Sequence, residues 1–292
     1  MIVLNIGTMK NIVIPKPSSE SLIAQLGSLY SVLKNVNFGE RLEFDLSSLD
    51  WVIPLLILPI SAYINETQSK FRIDECSIKG YLEKISFPRG VSSISSFQRQ
   101  IQKHKSYIPI SILDKKEKID RERLEALFSE KIFKTLGNVA GAQNAICYPI
   151  AELVTNIFEH SKKDSGFIFG QFYSTKNYLD ICIVDCGRGL TKTYKEEKGL
   201  ILTDAEAISE AMKGNSVKKD KERGYGIRTS KNIICKAFKG GGFILLSGSC
   251  ALVSVRQKEK LVSLPNFYWQ GTIITYRIPK PTASIDISSY IE

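Results

Sequence analysis

Glu152, Asn156 and His160 recur at every fourth position of the run PIAELVTNIFEHS. On a helix such residues fall at i, i+4 and i+8, along one face. A carboxylate and a carboxamide so placed can meet the phosphate end of a nucleotide together. Asn156 offers a neutral oxygen to Mg²⁺, a hard cation usually shared between protein and phosphates. Glu152 can take a proton from an attacking water or hydroxyl. The opposite face, with Ile146, Ile150, Leu153, Val154 and Ile157, is apolar enough to pack on a sheet. Taken alone, the same pattern describes an ordinary amphipathic helix with a solvated Glu and Asn.

Two glycine-bearing segments follow. Asp185 ends the apolar run LDICIV and opens DCGRGL, with Gly187 and Gly189 in a turn. An Asp there can accept a hydrogen bond from an exocyclic amine, and glycines admit close backbone approach. Gly224 and Gly226 then precede an apolar periodic run containing Ile227, Ile233, Ile234 and Phe238. Free backbone N–H groups at such a helix start suit phosphate oxygens. The spacing is neither GxxxxGK[ST] nor GxGxxG, so a P-loop and a Rossmann fingerprint are both excluded.

Each motif is weak by itself. The ordered set resembles the N, G1 and G2 boxes of the GHKL (Bergerat-fold) ATPase superfamily, which includes gyrase-type ATPases, sensor histidine kinases and anti-sigma-factor serine kinases. The resemblance implies ATP and Mg²⁺ as ligands. It makes Glu152 the catalytic base and Asn156 the metal ligand. It places His160, Asp185, Gly187, Gly189, Gly224, Gly226 and Ile227 around the nucleotide, with Asp185 reading adenine rather than guanine. Gly271-Thr272, in WQGTIITYRIP, resembles the closing strand of the same fold, so Thr272 joins the set.

The elements needed to position these residues are legible in outline. Residues 137–280 are expected to form the ATP-binding domain, an α/β sandwich with a mixed, mostly antiparallel sheet and helices on one face. A helix is predicted over 142–160, with a start or bend at Pro149. Strands follow at 166–173 and 178–184, then helices at 203–213 and 226–238. Strands near 243–247, 251–256 and 272–278 complete the domain. The Lys-rich stretch 190–223 reads as a lid of low local stability, anchored by Leu200 to Leu202 and Ala205 to Ile208. Residues 281–292 read as a loose tail.

Residues 1–95 read as a small α/β domain, with strands at Ile2–Ile6, Asn11–Ile14, Leu42–Asp45 and Phe71–Asp74 and helices at Ser19–Leu33 and Pro54–Asn65. The passage RLEFDLSSLDWVIPLLILPISAYINE resembles STAS and STAS-like domains. STAS substrates of anti-sigma kinases carry Ser or Thr in the loop opening the helix, where this chain has Trp51-Val52-Ile53-Pro54-Leu55, with Ser47 and Ser48 too early to match. The domain therefore reads as a binding or packing module. Residues 96–136 read as a charged linker with a connecting helix over 122–136.

Composition bounds the rest. The 292 residues are 43% hydrophobic and 24% charged, ordinary for a globular protein. The apolar run Trp51 to Ile64 is too short to span a bilayer and is broken by prolines. Six cysteines without a Cys-x-x-Cys pair argue against a zinc site and for reduced core thiols in the cytoplasm. The net charge of +10 is interleaved with Glu and Asp, as on a solvated surface, so nucleic acid is not the favoured partner. Three function classes stay open: an ATPase switch acting on a protein partner, a Ser/Thr kinase resembling anti-sigma-factor kinases, and a non-catalytic nucleotide-gated module binding protein or nucleic acid. A homodimer is open as well.

Overall fold

The computed structural model describes residues 9–103, 107–115, 118–137, 139–214 and 226–291. The expected strand at Ile2–Ile6 and the glycine Gly224 lie outside these residues.

The N-terminal part contributes β1 (Lys10–Val13), α1 (Leu22–Leu33), β2 (Leu42–Asp45), α2 (Pro54–Thr67) and β3 (Lys70–Arg72). The strands form a parallel sheet in the order β1-β2-β3, with Phe44 opposite Phe71. Ser21 caps α1, its hydroxyl accepting from the Ala24 amide at 3.2 Å. Pro54 opens α2, where the missing N–H costs nothing. Every α2 residue from Pro54 to Ile64 is buried. A helix apolar on all sides needs cover on all sides, and α2 finds it between α1 and strands of the larger sheet. Two short helices, α3 (Lys79–Lys84) and α4 (Ile94–Lys103), lead out of this part.

The remainder comprises β4 (Tyr107–Asp114), α5 (Lys118–Leu136), α6 (Ala142–His160), β5 (Ser165–Tyr173), β6 (Tyr178–Asp185), α7 (Gly189–Lys198) and α8 (Asp204–Lys213). Then come α9 (Gly226–Asn232), which widens into a π-helical turn at Ile233–Ala237, and β7 (Gly242–Gly248), β8 (Cys250–Val255), β9 (Lys258–Ser263) and β10 (Trp269–Pro279). The seven strands form one sheet in the order β4-β5-β6-β10-β7-β8-β9. Every pairing in it is antiparallel, where a mixed sheet was expected. The parallel pairs belong to the separate small sheet.

Both faces of the large sheet are covered. Along β6, Leu179, Ile181 and Ile183 pack with α5, α6 and α9, while Cys182 and Val184 pack with α1 and α2. That explains why LDICIV is apolar without alternation, a pattern usual for strands buried on both sides. The second face was not foreseen from the expected layout. Residues 107–114, read as part of a charged linker, supply the edge strand β4; their run YIPISILD is apolar enough, but Pro109 and the flanking lysines obscured it.

α6 runs unbroken through Pro149, and the Tyr276 hydroxyl donates to the Pro149 carbonyl at 3.3 Å. The tail is tied down rather than loose: the Ile285 amide donates to the Ala140 carbonyl at 2.9 Å beside the start of α6. One buried polar node joins the two parts. Arg277 on β10 donates from Nε and Nη2 to Asp180 on β6, each at 2.7 Å, and Gln25 of α1 donates to the same carboxylate at 2.8 Å. No described helix is long and apolar enough to cross a membrane.

Candidate functional site

Asp185, at the last position of β6, is 3% exposed yet lines a cleft. The neighbouring strand β10 pairs Thr272 directly with it. The Thr272 amide donates to Asp185 Oδ2 at 3.2 Å, and the Thr272 hydroxyl donates to the same oxygen. The Gly187 amide donates to Oδ1 at 2.8 Å. Burial pushes the Asp185 carboxyl up to about 6, with the donors from Thr272 and Gly187 working against the rise. Its side chain is therefore an ionised acceptor at neutral pH, held rigidly from two strands.

The segment before Thr272 explains how the two meet. Gly271 has φ +113, and a Cβ on it would lie 2.2 Å from the Asp185 carbonyl oxygen, so only glycine allows the approach. Trp269 is fully buried and donates from Nε1 to that carbonyl at 3.0 Å.

The cleft is narrow, about 90 Å³, and is walled by α6, α7, α8, α9 and the ends of β6 and β10. Asn156 and His160 face it from α6, Gly226 and Ile227 from α9, and Gly189 from α7. Asp185 and Thr272 form its floor with Ile274. Thus seven of the residues singled out in the sequence converge on one cavity: Asn156, His160, Asp185, Gly189, Gly226, Ile227 and Thr272.

Two others sit just behind this lining. Glu152 lies one turn before Asn156 on α6, against the start of α9: a Cβ on Gly226 would be 2.4 Å from Glu152 Oε2. The catalytic candidate and the first described residue of the glycine segment are therefore in contact. Gly187 serves Asp185 through its amide, and a Cβ there would meet the Ser161 carbonyl at 2.3 Å. His160 is engaged structurally. Its carbonyl accepts from Arg188 Nε at 2.6 Å, and its Nδ1 lies 3.6 Å from Glu197 Oε2.

The stretch read as a lid is better anchored than expected over its described part, 190–214. Arg188, its guanidinium 4% exposed, binds Glu196 and Glu197 of α7 as well as the His160 carbonyl, and so ties α7 to the end of α6. Thr203 and Glu206 form a reciprocal capping box at the start of α8. Asp204 accepts from the Thr191 hydroxyl at 2.6 Å and from the Ser249 amide and hydroxyl at 2.8 and 2.9 Å. Of the expected anchors, Leu200 and Ile201 are exposed, Ile201 at 87%, whereas Ala207 and Ile208 are buried; Tyr194, not among those expected, is buried too. Lys192, Lys195, Lys198 and Lys213 are exposed. Residues 215–225, with the remaining lysines, lie outside the described residues.

Sequence reasoning missed Arg188, Thr193, Tyr194 and Asp204. Arg188 was hidden among turn glycines in DCGRGL; two of its acceptors lie on the helix it opens, but the His160 carbonyl is brought to it only by the fold. Asp204 was legible as a first-turn acidic residue, but not its reach to Ser249. Among the described residues, no group of three or more His, Cys, Asp or Glu side chains is arranged to hold a metal ion. Neither a family model, nor a curated protein, nor a solved structure matches the chain.

Proposed function

We propose that this chain is a Mg²⁺-dependent ATP-binding protein that hydrolyses ATP and uses its nucleotide state to signal to a protein partner. The observation that carries the reading is the convergence of Asn156, Asp185, Gly226 and Thr272, from four separate elements, on one cleft. Convergence of motifs so far apart in sequence is what a composite ligand site requires and what chance amphipathic spacing does not supply.

The residues fit the ligand end by end. Asp185 is a buried, ionised acceptor pinned by donors from Thr272 and Gly187, suited to the amine of adenine and unsuited to the carbonyl that guanine carries there. Asn156 would hold the metal, sharing it with phosphate oxygens, as Mg²⁺ commonly is. The bound ion would supply neutralisation of phosphate charge. Glu152, seated against Gly226, is one helical turn away and would take the proton of the attacking water. Partner recognition would fall to the α7–α8 surface and to the N-terminal part. The α2 start is not a phosphate acceptor in its own right: it lacks Ser and Thr, Ile53 and Pro54 are buried, and the Val52 carbonyl accepts from Tyr173.

Calorimetry with ATP and GTP, with and without Mg²⁺, tests the binding half. Equal affinity for the two nucleotides would remove Asp185 from its role. Terminally labelled ATP tests the chemistry: release as free phosphate supports the ATPase, and label on a protein would mean a kinase instead.

A further inference from the structure

A second pocket, about 500 Å³, opens where the end of α1 meets the turn between β9 and β10. Asn35, Asn37 and Phe38 line it from one side, and Asn266, Tyr268 and Gln270 from the other. Its size is within the usual range of about 300–1,000 Å³ for small-molecule sites. No lining side chain is charged. Four are carboxamides, groups that carry donor and acceptor in one plane; Asn37 donates to Glu40 and Gln270 to the Cys186 carbonyl. The side-chain amides of Asn35 and Asn266 take no hydrogen-bond partner among the described residues, and Tyr268 is half exposed.

The pocket is also a built junction. Asn35 and Asn266 both adopt left-handed backbone, with φ of 61° and 57°, and the Asn35 amide donates to the Asn266 carbonyl at 2.6 Å. Asn adopts this backbone readily, and here it ends α1 and shapes the β9–β10 turn. Phe38 meets Trp269 edge-on at 5.1 Å, and Trp269 in turn donates to the Asp185 carbonyl. Gln270 reaches the Cys186 carbonyl at 3.5 Å. The strand that lines this pocket is therefore the strand that holds Asp185, read two residues earlier.

We propose that this pocket is a second ligand site, taking the base of a nucleoside, and that its occupancy is felt at Asp185. Coplanar donor–acceptor edges are what Asn and Gln offer to a base edge, and an exposed aromatic ring gives the base a face to stack on. The uncharged lining selects a neutral ring rather than a phosphate. Base binding here is independent of any role for Asp185; only the transmitted effect rests on the adenine reading above.

The test titrates guanosine, cytidine and uridine, none of which offers the adenine amine that Asp185 reads and all without phosphate, into the full chain by calorimetry. The wild type is compared with Tyr268→Ala, Asn266→Gly and Asp185→Asn. Both pocket positions are exposed, and glycine keeps the left-handed backbone while removing the carboxamide, so these variants should fold. At least one nucleoside should bind the wild type, Tyr268→Ala should weaken it about tenfold, Asn266→Gly should weaken it too, and Asp185→Asn should leave it unchanged. Saturating that nucleoside should then shift ATP affinity. Binding of none of the three, or binding lost in Asp185→Asn and kept in Tyr268→Ala, overturns the site. Nucleoside binding with unaltered ATP affinity overturns the transmission. A protein that binds the nucleoside but never ATP would sink the proposed function and leave this pocket standing.

Discussion

Asp185 and Thr272 face each other across paired strands, and the threonine donates twice, from amide and hydroxyl, to a single carboxylate oxygen. The other oxygen takes the Gly187 amide. A buried carboxylate with donors on both oxygens is kept ionised and immobile, but burial alone makes that ionisation expensive. The remaining lone pairs point the interaction outward, toward the cleft that Asp185 lines. A ligand amine arriving there completes the set.

The first prediction concerns pH. The Asp185 carboxyl titrates near 3.8 when unfolded and about 6 in the fold. Between these values the native state holds more protons, so its contribution to stability is complete below about pH 4 and is lost as pH rises through 6. Relative to Asp185→Asn, wild-type stability should fall by about 3 kcal/mol between pH 4 and 7.5. ATP binding should do the opposite, strengthening above pH 6 and releasing a proton below it, because an amine donor favours the charged form. Urea melts of both proteins and calorimetry in buffers of different ionisation enthalpy measure the two effects. A pH-independent stability difference would contradict the first, and binding that weakens toward pH 7.5 the second.

The second prediction concerns Gly226. A methyl there would meet the Glu152 carboxylate, the movable end of a side chain, so Gly226→Ala should displace Glu152 and leave the fold intact. If Glu152 is the base, ATP hydrolysis should drop about 10²-fold or more with Tm nearly unchanged. Adding Glu152→Ala should then cost nothing further. Independent, multiplicative losses in the double variant would separate the two residues.

How much of this was legible is clearest at particular residues. Local pattern placed α6, β5, β6, α8 and β10 within a few positions, because their apolar periods are long and their ends are punctuated by Gly, Asp or Thr. The same signals brought Asn156, Asp185 and Thr272 to notice. β9, the polar hairpin partner KEKLVS, carries no buried residue and so no alternation to read. Arg188 and Gln25 were invisible for a different reason. Their meaning lies in partners from other elements, the His160 carbonyl and Asp180, which lie 28 and 155 residues away along the chain.

The third prediction concerns Arg277. Its guanidinium neutralises Asp180, which is 0% exposed and whose carboxyl burial raises above the ordinary range. Arg277→Ala leaves that carboxylate with Gln25 as its remaining described donor and should cost about 3–5 kcal/mol. The loss should shrink on acidification, since protonating Asp180 removes the uncompensated charge, and Asp180→Asn in the same background should recover part of it. Chemical denaturation at pH 5 and 7.5 reads all three. A loss of equal size at both pH values would mean that packing over Tyr178, not charge, is what Arg277 supplies.

The last prediction concerns Asp204, the bolt between α8 and the turn after β7. One carboxylate accepts from Thr191 on α7 and twice from Ser249 beside β8, so its removal should free both helices without touching the cleft floor. Asp204→Ala should cost about 1–3 kcal/mol and should raise amide exchange across 189–214 while β5 and β6 stay protected. Arg188, which joins the end of α6 through the His160 carbonyl to Glu196 and Glu197 of α7, limits the opening to the α8 side. If the helices close over nucleotide, ATP with Mg²⁺ should restore much of the lost protection in the variant and add little in the wild type, where the bolt already holds. Hydrogen exchange with a non-hydrolysable ATP analogue decides it. Equal protection with and without the analogue in Asp204→Ala would show that α7 and α8 are a fixed wall of the cleft and not its lid.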